Sequence, residues 1–496
     1  MKKILLSGLS VALLTTSCVG SLEDNFNVDP KSPTTALASG FIANAERTLA
    51  RTVVSTNVNL NPLRFYVQYW AATDYPTESR YDLNTRSIPG AFWNALYRDC
   101  LRDLREAKAT IPNDLSVPAA SKANATAVAE VLEIYTWATL VETFGNVPYS
   151  EALNFTNARP AYDDQAKVYA DLIARLDVAI GQFNPAANTG LLTGTASADL
   201  LNNNSTALWI KFANALKLRM ALTLADVDNA KAKTMAEATV GKLPASNADV
   251  IDLAFNGTFP NTNPLYEDLV RSGRTDFVGT SFFINQLKGT TGPVTGTVDP
   301  RLNDYFDPAT NPTPATNLYN GGTYGGANSP ETNSQPGAKL RAQTLPGVLI
   351  SYAQVEFLLA EAAARGYAVG GTPESHYNAA VTASILEWGG TAAEATAYLA
   401  QPGVAYATAG GAGATYKQKI GYQEWVALYN QPVDAWREWR RLDYPVLTAP
   451  TTAISGIPVR FLYPVVEQNI NGANYSQAAA AIGGDKVETK LFWDKF

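Results

Sequence analysis

A single histidine, His376, stands among 496 residues, so multi-histidine metal sites and histidine relays are removed from the outset. It lies early in a predicted helix and reads as a structural or solvent-facing side chain. The 45 acidic residues could supply a glycosidase pair, but no spacing in the sequence brings two carboxylates to catalytic separation. Asp163-Asp164 reads as a helix start. Gly321-Gly322 and Gly325-Gly326 lack the Lys-Ser/Thr of a phosphate loop and open no helix, so they read as turns. What the chain holds in quantity is aromatic rings: 24 Tyr, 18 Phe and 9 Trp. Tyr66, Tyr69, Trp70, Tyr75 and Tyr81 interleave with Asp74, Glu78 and Arg80, setting flat apolar faces beside directional polar groups. Sugar rings ask for that combination, because their C–H faces stack while their hydroxyls need partners. Trp70, Tyr75, Tyr81, Asp74 and Arg80 are therefore the first candidate ligand contacts. The loop tyrosines Tyr305, Tyr319 and Tyr324 are the second set.

These side chains need a scaffold, and beyond residue 40 the dominant pattern is helical. Phe92, Trp93, Leu96, Tyr97, Cys100, Leu101 and Leu104 recur at three and four, predicting a helix over 91–110 with Cys100 on its apolar face. Val128, Val131, Leu132, Tyr135, Ala138 and Val141 form a second stripe, closed by Gly145 and Pro148. Asp163 or Asp164 is expected to cap a third helix and Ser205 a fourth. Residues 252–346 change texture: rich in Asn, Thr, Gly and Pro without a sustained period, they predict a long, irregular, loop-rich functional surface region. Helices resume at Ser351, where Ser351-x-x-Gln354 predicts a capping box, and Thr372-Pro373 opens another. Pro432 is expected to divide the last helical block, 416–442. Early helix starts fall roughly 35 to 42 residues apart, which points to stacked helical pairs of the tetratricopeptide kind, although no clean internal repeat is visible.

Composition narrows the function classes. A hydrophobic content of 46% and a charged fraction of 17% describe a chain that folds in water and needs neither disulfide nor metal. A net charge of −7 argues against the basic footprint of a nucleic-acid binder. At the N-terminus, Lys2 and Lys3 precede an apolar run, Ile4 to Leu14, too short to span a bilayer. Thr15, Thr16 and Ser17 then lead to Cys18. This resembles a lipoprotein signal at 1–17 with Cys18 as the lipidated first residue, although Leu14 sits one place earlier than is usual. Residues 18–40 would form anchor and polar tether, and 41–496 the binding domain.

Ordered motifs extend the resemblance over nearly the whole mature chain. They are Gln68-Tyr69-Trp70-Ala71 with Tyr81-Asp82; Phe144-Gly145-Asn146-Val147-Pro148-Tyr149; Trp209 to Asn214 with Leu218-Arg219; and Asp299-Pro300-Arg301-Leu302. Ser351 to Phe357 with Ala360-Glu361-Ala362, Trp425 to Leu428, Trp436-Arg437-Glu438 with Arg440-Arg441, and Pro458-x-Arg460 with Tyr463-Pro464 complete the series. In this order they resemble the SusD/RagB family of outer-membrane nutrient-binding lipoproteins. The resemblance implies a mostly α fold: a scaffold of four tetratricopeptide-like helix pairs with irregular loops forming the ligand-binding side. It also implies a non-catalytic protein, lipid-anchored to the outer membrane and facing the exterior, that captures oligosaccharide or peptide. The implied partner is a SusC-like TonB-dependent transporter, and no cofactor or metal is expected. A surface glycoside hydrolase is the alternative, and it would require an acidic pair in a cleft. A structural or adhesive surface protein is a third reading, and it would lack a concave aromatic site.

Overall fold

A computed structural model describes residues 36–496 apart from Asn84 and Thr195. The expected signal at 1–17, Cys18 and most of the 18–40 tether lie outside the described residues. The longer helices are α1 (Ala38–Val54), α2 (Ile88–Leu96), α3 (Arg102–Thr110), α4 (Lys122–Phe144), α5 (Gln165–Gln182), α6 (Thr206–Leu224) and α7 (Asn229–Glu237). After α8 (Ser281–Leu287) come α9 (Tyr352–Ala364), α10 (Pro373–Trp388), α11 (Ala392–Leu399), α12 (Tyr416–Ala427), α13 (Pro432–Leu442), α14 (Val465–Ile470) and α15 (Gly472–Ala481). Strands are short: β1 (Trp70–Ala72), β2 (Leu192–Thr193), β3 (Ala196–Ser197), β4 (Ile251–Leu253), β5 (Phe277–Gly279) and β6 (Gly347–Ile350). They pair antiparallel as β1 with β5, β2 with β3, and β4 with β6.

The protein is mostly α, and its helices pack as pairs: α1 with α3, α4 with α5, α6 with α7, and α9 with α10. Neighbouring pairs join through α5 against α6, α6 against α9 and α9 against α12. Capping chemistry sets the starts. Asp164 accepts from the backbone N–H of Ala166 and Lys167, Ser205 from Leu208, and Ser351 from Gln354. The box expected at Ser351 is only half made, because the Gln354 side chain turns away and its Oε1 accepts from Gln431 instead. The box at Thr372 is complete, with Ser375 returning the bond. The helix predicted over 91–110 is one run interrupted by a π-turn, Tyr97–Leu101, between α2 and α3. Cys100 is fully buried there on the core side, and burial pushes its thiol up to about 12.

In α4 the apolar face expected on one side widens until most of the circumference is buried, which makes it a central helix. Its last turn carries Glu142 into an ionic network that links the scaffold to α13. Arg219 of α6 lies between Glu142 (3.2 Å) and Asp434 (3.4 Å). Arg437 pairs with Asp434 at 2.7 Å and Glu438 at 2.6 Å, and Arg441 reaches Glu361 of α9 and Glu438, each at 2.5 Å. Burial alone would raise the Glu438 carboxyl, but Arg441 and Arg437 hold it down at about 2.

His376 of α10 joins the α9–α10 pair. Its Nδ1 lies 2.7 Å from a Glu356 carboxylate oxygen and its Nε2 lies 2.7 Å from the Gly370 carbonyl. Two acceptors require two N–H donors, so the ring is an imidazolium here. The hydrogen bond to Glu356 is the main cause of a pKa raised above 6.5, against a smaller opposing effect of burial. The stabilisation is therefore complete below 6.5 and is lost as the pH rises through the higher folded value. Imidazole NMR titration should give a midpoint above 6.5 that Glu356→Gln brings back down. An unshifted midpoint in the wild type would contradict the pairing.

Candidate functional site

The rings expected to form a platform at 66–84 are mostly core. Trp70 is 1% exposed, stacked on Phe277 at 5.1 Å, with its indole N–H donating to the Tyr429 hydroxyl at 2.8 Å. Strand pairing causes this. Trp70 sits opposite Gly279 in the β1–β5 ladder, where a Cβ would come within 2.5 Å of the Phe306 ring. Tyr305 is also buried, its hydroxyl donating to the Val426 carbonyl, and Tyr81 packs at 6.3 Å from Tyr324. None of these three presents an open ring face, so their expected stacking role is corrected to a packing role. Tyr324 is half-buried with its hydroxyl on the Phe65 carbonyl, and Tyr319 is half-buried with its backbone carbonyl held by Lys288. Arg80 donates from Nε to the Gly325 carbonyl and so braces two loops. Asp74 and Tyr75 stay exposed.

A different pair of rings lines a groove of about 620 Å³. One wall is α8. Thr280 caps this helix through its hydroxyl on the Phe283 N–H at 3.0 Å, and the same hydroxyl donates to the Gln68 carbonyl at 2.6 Å. Consecutive positions on a helix diverge by about 100°. Phe283 therefore turns into the core, 4.8 Å from both Tyr69 and Trp425, while Phe282 turns toward the groove. The other wall is Tyr444, Pro445 and Val446, directly after α13. Asp443 ends that helix in a left-handed conformation (φ 53°), and the Trp439 indole donates to the Pro445 carbonyl at 3.1 Å. Gln68 ties the two walls together: its backbone carbonyl holds Thr280 and its side-chain amide donates to the Thr448 carbonyl at 2.7 Å.

Ser281, Asn285, Gln286 and Thr291 also line the groove. Gln286 is 3% exposed, and its Nε2 has no hydrogen-bond partner among the described residues. The Tyr444 hydroxyl likewise makes no hydrogen bond among them, and burial raises its pKa. Two rings, two amides and three hydroxyls suit a neutral, hydroxyl-rich ligand. The lining carries no carboxylate, imidazole or thiol. No group of three or more His, Cys, Asp or Glu residues that could hold a metal occurs among the described residues.

Reasoning from the sequence reached the 252–346 side of this groove but missed Phe282 and the whole 444–446 wall. A usable signal was present: Phe282-Phe283 on one short helix cannot both face inward, and Tyr-Pro-Val after a helix end leaves Val446 71% exposed.

The family model described as "Starch-binding associating with outer membrane" (SusD-like) matches residues 30–464. Similar solved structures include a chitin-binding protein, 26% identical, covering 92% of this chain and 100% of that chain with a TM-score of 0.76. Another is a chitin-binding SusD homolog from Flavobacterium johnsoniae, 24% identical, covering 92% of this chain and 98% of that chain with a TM-score of 0.76. A SusD homolog from Bacteroides uniformis is 25% identical over 92% of this chain and 99% of that chain, with a TM-score of 0.74. No curated protein matches the chain.

Proposed function

The chain belongs to the SusD-like family of outer-membrane-associated binding proteins, and from that premise we propose that it captures oligosaccharide at the cell surface for uptake. The groove between Phe282 and Tyr444 carries this reading, because its aromatic, amide and hydroxyl lining is what a neutral glycan requires. Of the rings at 66–84, Tyr75 alone keeps an open face, at 62% exposure, and it is retained as an outlying contact. Two similar structures are of chitin-binding proteins, which makes chitin oligosaccharide the first ligand to try, with starch oligosaccharide second. In affinity electrophoresis, soluble glycan cast in the gel should retard the protein. Migration unchanged by every glycan of both classes would count against the reading.

Delivery to a SusC-like TonB-dependent transporter and anchoring through lipid on Cys18 complete the proposal. Among the described residues no helix is long and apolar enough to cross a membrane, which is compatible with anchoring outside them. Cys18→Ala should move the protein from the membrane to the soluble fraction in cells lacking the transporter. Persistence in the outer-membrane fraction of such cells would refute the lipid anchor.

A further inference from the structure

A second pocket, about 290 Å³ in volume, opens beside the β4–β6 ladder and shares no lining residue with the groove. Asp252 and Val348 face one another in that ladder, and a register shift between Ile251 and Asp252 re-aims the strand at this point. Asp252 and Glu387 both line the pocket, both are partly solvent-accessible, and neither carboxylate accepts a hydrogen bond or joins an ion pair among the described residues. Lys339 shares the wall and its charge acts on Glu387, but it forms no ion pair with either carboxylate. Its ammonium donates to the Glu387 backbone carbonyl and lies 5.3 Å from the centre of the Trp388 ring. Asn430 adds an independent sign of a missing partner. It lines the pocket and is 8% exposed, its Oδ1 accepts from Arg64 at 3.0 Å, and its Nδ2 makes no hydrogen bond among the described residues.

From this arrangement we infer that the pocket binds a small aliphatic primary amine carrying a hydroxyl or carbonyl acceptor. The ammonium would sit between Asp252 and Glu387, and the acceptor would meet Asn430. A primary ammonium supplies three donors and one positive charge, which are what two donor-less carboxylates lack. Leu345, Pro346 and Val348 provide an apolar wall for the short carbon chain. The titration behaviour agrees with the geometry. Burial alone raises Asp252 to about 6, and burial, opposed by Lys339 and aided by Asp252, raises Glu387 to about 7.

The test is calorimetric titration of the full mature protein with 5-amino-1-pentanol and, separately, with 1,5-pentanediol, which has the same length and no charge. The amino alcohol should bind at least tenfold more tightly than the diol. Asp252→Asn and Glu387→Gln should each weaken it at least tenfold, with far-ultraviolet circular dichroism and glycan binding unchanged. Equal affinity for the two probes, no saturable binding of the amine, or full affinity in both folded variants would overturn the inference. Should a variant fail to fold, the wild-type comparison of amine with diol decides alone. Because glycan binding belongs to other residues, its failure would sink the proposed function and leave this inference standing.

Discussion

Arg441→Ala is expected to destabilise the protein by about 3–5 kcal/mol, the loss seen when one partner of a buried ion pair is removed. Its guanidinium is 1% exposed and lies between Glu361 of α9 and Glu438 of α13. Without it, two buried carboxylates each lose one of two guanidinium partners beside Glu424, Glu438 keeping only Arg437 and Glu361 only Arg365. That third acid makes no hydrogen bond with either oxygen, and burial and the Glu438 charge already hold its pKa well above the usual carboxylate range. Arg98→Ala serves as the control. Its side chain is 66% exposed, and its pair with Asp99 should contribute no more than about 1 kcal/mol. Urea unfolding followed by circular dichroism separates the two. Similar midpoints for Arg441→Ala and Arg98→Ala would show that the network does not link the helix pairs energetically.

That network also shows why parts of the fold were legible in the sequence and other parts were not. Helix starts depend on side chains one to three residues from the N–H groups they satisfy, so Asp164, Ser205 and Thr372 announce their helices locally. Gly145, at a positive φ of 88° that glycine adopts freely, ends α4 for an equally local reason. Glu142, Arg219, Glu361 and Arg441 come from four separate helices, and no local pattern marks them as partners.

Trp70 illustrates the same limit at the candidate site. Rings interleaved with charges at 66–84 read equally well as an exposed platform or as a core with satisfied polar groups. Phe277, Gly279 and Tyr429, all distant in sequence, decide for the core. The groove inverts that outcome. Phe282 and Tyr444 come from chain segments far apart, joined by Gln68, so neither segment alone contains an aromatic cluster to notice.

Phe282 and Tyr444 carry the second large effect. A ring face of roughly 60 to 80 Å² buried by a sugar, at about 25 cal/mol/Å², contributes on the order of 1.5 to 2 kcal/mol. Each truncation should then weaken binding about tenfold or somewhat more, and the pair together about a hundredfold or more. The direct measurement is calorimetric titration of chitin and starch oligosaccharides against wild type, Phe282→Ala, Tyr444→Ala and the double variant, each shown to be folded by circular dichroism. The groove account predicts saturable binding of one glycan by the wild type and a loss of about a hundredfold in the double variant. Wild-type affinity in a folded double variant would contradict it and place glycan recognition elsewhere on the protein.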